Sequence, residues 1–290
     1  MLCDNAGMSG KLARAIISIG RKAYEILGCR ETARVMGITS RGVFLMTGSL
    51  EVLFISPEKY RGPLTINIAG PPGDGVTDEG NTRLNLSPDG IKLNGQAVIS
   101  LTSQSEIWSP PQFPIPATIF PETARRWEEA YTSLKGRAES NSLAVQWINE
   151  IRGKSHQELL EFFHTVIGTG SGLTPAGDDF IAGFLLIHSM ASQAGLMPAM
   201  DAQAVQDLIQ FAKKSTTALS ANLIALAHER LADERLIRCA RWLLAGEDRF
   251  EEIKKELRTY GSSSGFDSLA GMLTCQGNIP RLFDQRKTSP

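Results

Sequence analysis

The chain has 290 residues, 42% of them hydrophobic and 21% charged, which suits one large or two modest globular units and argues against a disordered or membrane-embedded class. Its 30 Lys and Arg against 31 Asp and Glu lack the basic excess with which a nucleic-acid binder holds phosphates. Any anionic ligand must therefore be held by local groups.

The N-terminal "MLCDNAGMSGK" has no basic start followed by an apolar run, and no stretch approaches the roughly 18 apolar residues of a membrane span. A cytoplasmic protein is expected, with no membrane and no nucleic-acid partner. Cys3, Cys29, Cys239 and Cys275 have no paired spacing, so they read as reduced packing residues rather than a zinc site or a disulfide framework. The start up to Gly10 and the tail from Asp284 to Pro290 are expected to fray.

In chain order, "KLARAIISIGRKAYEIL" is predicted as one helix. From Ala33 to Leu101, short runs of Val, Ile, Phe and Thr broken by Gly, Pro, Asn and Asp predict mostly antiparallel strands. Within them the polar segment Ala69 to Gly90 reads as a long surface excursion or an edge hairpin, and Ser109 to Pro121 as a Pro-rich connector. The period then becomes helical: Ala124, Trp127, Tyr131 and Leu134 recur three or four apart, and "SLAVQWINEIRG" and "HQELLEFFHTVIG" follow, closed by Gly153 and Gly168. Further helices are predicted in "AMDAQAVQDLIQFAKKS", "TALSANLIALAHERLA", "ERLIRCARWLLAGE", "RFEEIKKELRTYG" and "GFDSLAGMLTCQG", with Trp127, Trp147 and Trp242 in the core. The expected class is α+β: a small antiparallel β-rich part with a leading helix (residues 1–121), a larger all-helical part (122–283) and a tail (284–290).

One stretch stands out, "GTGSGLTPAGDDF" from Gly168 to Phe180. Thr174 suits a helix N-cap and Pro175 the first helical position. Gly168, Gly170 and Gly172 before them permit positive φ angles that turn successive N–H groups, with Ser171 between, towards one anion. Asp178 and Asp179 then fall in the opening turns, expected in an exposed cleft. They suit a bridging divalent ion such as Mg²⁺, a ligand with N–H donors, or a proton transfer. The plain alternative is capping, since acidic residues there stabilise a helix by about 0.3 to 1 kcal/mol. No Gly-Lys-Ser/Thr follows, so the stretch is not a nucleotide-binding P-loop.

"GDDFIAGFLL" (Gly177 to Leu186) and "GFDSLAGMLT" (Gly265 to Thr274) share five identities in ten positions, including Asp179 with Asp267 and Gly183 with Gly271. Gly inside a helix costs about 1 kcal/mol relative to Ala, so its recurrence four residues after Asp predicts two helices packed through the glycines, with their Asp residues at one end. Ser263 and Ser264 lie in the loop before the second copy, "YGSSS". Ser220 and Asn222, polar residues in an otherwise apolar helix, either face the same cleft or bond their own backbone. His188 reads as a core histidine, and His164 and His228 have no metal-ligand spacing with it.

"GSGLTPAGDDFIAGFLL", "STTALSANLIALAHERLADERL" and "YGSSSGFDSLAGML", in that order, resemble the signature segments of the family that contains the oxamate carbamoyltransferase subunit AllH. The strand-rich part resembles that family only in general character. The resemblance implies a multi-subunit enzyme of allantoin catabolism that moves a carbamoyl group between oxamate and phosphate, beside an FdrA-like subunit and a third subunit. It implies a small anionic substrate but does not say which subunit carries the chemistry; on their own pattern Gly170, Ser171, Gly172, Thr174, Ser220, Asn222, Ser263 and Ser264 are the candidate binding residues here and Asp178, Asp179 and Asp267 the candidate catalytic ones. Two other readings stay open: a non-catalytic scaffold or regulatory subunit, and a metal-dependent hydrolase using Asp178 and Asp179.

Overall fold

The computed structural model describes residues 13–72, 76, 82–116, 120–137, 143–151 and 153–286. Cys3, the start up to Gly10 and residues 287–290 of the tail lie outside them, as do 73–75 and 77–81 of the polar segment. The chain is α+β and divides into two compact units, Met1–Ser109 and Pro110–Pro290.

The first unit holds β1 (Arg14–Gly20), α1 (Arg21–Gly28), β2 (Thr32–Thr39), β3 (Gly42–Thr47), β4 (Val52–Ser56), β5 (Thr65–Ile68), β6 (Arg83–Ser87), β7 (Gly90–Leu93), β8 (Gln96–Ser100) and β9 (Glu106–Trp108). The ladder runs β5-β4-β3-β2-β6-β7-β8-β1-β9 and closes on itself because β1 also pairs with β5. Closure pairs edges that would otherwise invite aggregation. Pairing is mostly antiparallel, with parallel β1–β8, β1–β9 and β4–β5. Ile19, Leu45, Leu53, Ile55, Ile66 and Leu84 are among its fully buried side chains.

Two expectations fail here. The single helix from Lys11 is instead a strand followed by a short helix, because the β-branched "AIISI" places Ile16 and Ile19 inside while Ile17 faces out. The helical period survives only in α1, which buries Ala23, Ile26 and Leu27. The segment Ala69 to Gly90 does not end in an edge hairpin either: β6 alternates exposed Arg83 and Asn85 with buried Leu84 and Leu86, and is paired on both sides, by β2 and β7. Its polarity is that of one solvated sheet face.

The second unit holds α2 (Phe120–Arg137), α3 (Leu143–Glu150), α4 (His156–Val166), α5 (Ala176–Gln193), α6 (Ala202–Ser215), α7 (Ala218–His228), α8 (Glu234–Ala245), α9 (Phe250–Leu257) and α10 (Ser264–Arg286). α5 is buried all round from Gly177 to Ala191, which makes it the central helix and explains its apolar composition. α3, α4, α7, α8 and α10 surround it, α10 most extensively. Trp147 and Trp242 are buried as expected, and half-buried Trp127 donates its Nε1–H to the Leu273 carbonyl at 2.8 Å. Cys239 and Cys275 are free and buried, and burial pushes the Cys239 thiol up to about 12. Among the described residues no helix is long and apolar enough to cross a membrane.

Candidate functional site

α5 and α10 pack as the repeat requires. A Cβ on Gly183 would run into the Ser268 carbonyl oxygen, and a Cβ on Gly271 into that of Phe180. Ser268 and Phe180 occupy equivalent positions in the two copies, so the contact is reciprocal, as across a two-fold axis. The likeness extends upstream. Thr169 N–H bonds Val166 O at 3.0 Å and Gly177 N–H bonds Thr169 O at 2.9 Å; Tyr260 to Leu257 (3.1 Å) and Gly265 to Tyr260 (3.0 Å) repeat the pattern. The two copies are therefore helix–turn–helix units, α4 to α5 and α9 to α10. The first has the longer turn.

That turn carries the expected positive φ angles, 74° at Gly168, 122° at Gly170 and 94° at Gly172. At Gly170 the need is also steric, since a Cβ would lie 2.6 Å from the Ala176 nitrogen. Gly168 is not part of an anion cradle, however: its N–H bonds Asp178 Oδ1 at 2.8 Å. The N–H groups of Gly170, Ser171 and Gly172 donate to no protein group among the described residues, and all three residues are exposed. Thr174 is not the N-cap, because Pro175 holds that position; its hydroxyl instead meets Ser264 Oγ at 2.9 Å, joining the α5 turn to the start of α10.

The aspartates are buried rather than exposed: Asp178 is 1% and Asp179 3% accessible. Asp178 ties the fold, accepting from the Gly168 N–H and the Thr216 hydroxyl. Asp179, a helical step of about 100° further round, faces α10. Burial pushes its carboxyl well above the usual range, aided by the neighbouring Asp267 charge, against side-chain hydrogen bonds from Ser264 and Thr174. Its Oδ2 is buried without a partner. Asp267, 6% accessible, repeats this one helix away: burial raises it to about 6, opposed by a hydrogen bond from Ser263, and its Oδ2 is also unpartnered. Buried polar atoms are rarely left so, and a pair of them facing one end of two helices is suited to a ligand.

The structure thus brings Thr174, Asp179, Ser263, Ser264 and Asp267 together and turns Asp178 away from them. Asp178 and Asp179 do not converge on one ion, and among the described residues no group of three or more His, Cys, Asp or Glu side chains is arranged to hold a metal. Ser220 is buried on α7 with its hydroxyl unpartnered, and Asn222 is half-buried on the same helix. His188 is a core residue beside His156, and burial, with the charges of His156 and His228, lowers it to about 3.

Sequence reasoning missed the residues that hold the turns. Thr217 caps α7 by accepting from the Ser220 N–H, and its hydroxyl donates to the Leu173 carbonyl at 2.7 Å, tethering the tip of the first turn. The Thr-Thr pair before an apolar helix was the available signal. Arg235, 4% accessible, is paired with Asp233, donates to the Thr259 carbonyl at 2.8 Å and lies over the Tyr260 ring, supporting the second turn. Nothing local marks an arginine in "ERLIR" for that role.

No curated protein and no solved structure matches the chain. Residues 166–276, which hold α5, the first half of α10 and all three signature segments but none of the strand-rich unit, match the family of the oxamate carbamoyltransferase subunit AllH.

Proposed function

We propose that the chain is a subunit of an oxamate carbamoyltransferase and that its site lies where α5 and α10 begin. The observation that carries this reading is the Asp179–Asp267 pair, two neighbouring buried carboxyls, each with an unpartnered oxygen and each held above the usual carboxylate range by burial. Such a pair suits a reaction in which one carboxyl gives a proton while the other takes one.

The transfer needs both. Phosphate oxygen attacks the ureido carbonyl of oxalurate, the bond to the oxamate nitrogen breaks, and that nitrogen must gain a proton as carbamoyl phosphate forms. Asp179, kept protonated by burial, gives the nitrogen its proton, while Asp267 takes the phosphate hydroxyl proton; passing that proton back to Asp179 resets the pair. The reverse reaction uses the same groups with roles exchanged. Free N–H groups at Gly170 to Gly172 bind the anion, and Ser263 and Ser264 orient the carboxyls. The turn contains no Lys or Arg. The remaining positive charge is assigned to partner subunits, an FdrA-like chain and a third subunit, in the setting of allantoin breakdown.

Binding tests this reading. Carbamoyl phosphate at about a hundred times its dissociation constant stabilises the full chain by about 2.7 kcal/mol. The shift is read on the chain alone and in the assembled complex, because partner subunits complete the site's charge; a chain that responds to neither carbamoyl phosphate, phosphate nor oxamate in either preparation is a scaffold subunit.

A further inference from the structure

The reaction just proposed joins two anions, and the α5–α10 pair is built from two copies. We infer that the site is a double anion site, with phosphate on the Gly170–Gly172 turn, a carboxylate on the Gly261–Ser263 turn, and the transferred carbamoyl group between them over Asp179 and Asp267.

This rests on the carbamoyltransferase reading but on separate observations. The second turn repeats the free donors of the first: among the described residues the N–H groups of Gly261, Ser262 and Ser263 donate to no protein group, and all three residues are exposed. Gly261 holds a φ of 69°, and a Cβ there would lie 2.7 Å from Ser264 Oγ. Each turn opens a long helix, so each set of donors sits at a positive dipole end. One turn into each helix stands a carboxyl more than nine-tenths buried with one oxygen unpartnered, Asp179 at 3% and Asp267 at 6% accessible. Ser264, from the second copy, bonds Thr174 and Asp179 of the first, so the two ends form one site rather than two.

The turns are not equal, and their inequality assigns the ligands. Between the bonded residues Thr169 and Gly177 the first turn is longer than the second between Tyr260 and Gly265, and it carries two left-handed glycines where the second carries one. The longer run of donors, with its two left-handed glycines, is assigned to phosphate, the anion such backbone concavities commonly hold, and the shorter one to the carboxylate of oxamate.

Calorimetric titration of the full chain with inorganic phosphate, alone and with oxamate at a hundred times its dissociation constant, separates two sites from one. The double site predicts a phosphate dissociation constant that rises no more than threefold with oxamate present, whereas a single shared site predicts a rise of about a hundredfold, which would overturn the inference and leave the proposed function standing. Gly170→Val is expected to weaken phosphate at least tenfold and spare oxamate, and Gly261→Val to do the reverse. Loss of both anions in both variants also overturns the assignment. The titrations are run on the chain alone and in the assembled enzyme; if it binds neither anion in either, the placing of the carbamoyltransferase site on this chain falls as well.

Discussion

In both helix–turn–helix copies a glycine opens the second helix and bonds back to the turn, an Asp follows in the first turn of that helix, and a second glycine lets its carbonyl-bearing partner come close. The copies part at the position before the shared Asp. The first has Asp178, which pins Gly168 and Thr216; the second has half-buried Phe266. A long turn needs a carboxylate to hold its base, and a short one is held by its own backbone and by Arg235 from behind. What the copies share is what close packing and the paired carboxyls demand, and what differs shapes the two mouths of the site.

The largest test of the shared part is Gly183→Leu. Its side chain would have to displace the α10 backbone at Ser268, so a loss of about 3 kcal/mol or more is expected in urea unfolding, and Gly271→Leu should cost about the same. A tolerated leucine at either position breaks the reciprocity.

The differing part is sharpened by Asp178→Asn. It exchanges a buried carboxyl that accepts hydrogen bonds through both oxygens for a group that accepts through one, for an expected loss of about 2 kcal/mol. An unchanged urea midpoint would show that the first turn holds itself.

How far the sequence foretold this can be judged residue by residue. The glycine contacts were legible because Gly is costly in a helix, and its recurrence at matching positions demanded a partner backbone. The first strand was not, because "AIISIGRKAYEIL" satisfies a helical period across its join, and the β-branched run in its first half decides for strand only together with the ladder it closes, which local sequence does not show. The position of Thr174 before Pro175 suggests a cap, but its hydroxyl bonds Ser264, 90 residues away, a partner that no local pattern names. The burial of Asp179 and Asp267 also lay beyond local pattern, since it depends on the two helices meeting.

Asp267 gives a pH test. The folded chain raises it from 3.8 to about 6, so between those values the folded state holds a proton that the unfolded chain has released. Its contribution to stability is complete below pH 3.8 and is lost as pH rises to about 6, at about 1.4 kcal/mol per pH unit, after which it is flat. Asp179 is raised in the same direction, so Asp267→Asn should make the fall in unfolding free energy with pH shallower by about 1.4 kcal/mol per pH unit in this window rather than remove it; an unchanged slope would place the proton elsewhere.

The smallest effect expected is that of Thr217→Ala, about 1 kcal/mol from the lost α7 cap, together with a first turn that exchanges amide hydrogens faster near Leu173. Unaltered exchange there would mean that the tether is idle.

The central claim is that Asp179 moves a proton in carbamoyl transfer, and the direct measurement is the rate of oxamate carbamoylation from carbamoyl phosphate by the assembled enzyme carrying Asp179→Asn. The account predicts a fall in kcat of about a hundredfold or more, with stability kept or raised because the amide is neutral without having to take up a proton on folding. Turnover at the wild-type rate would contradict it.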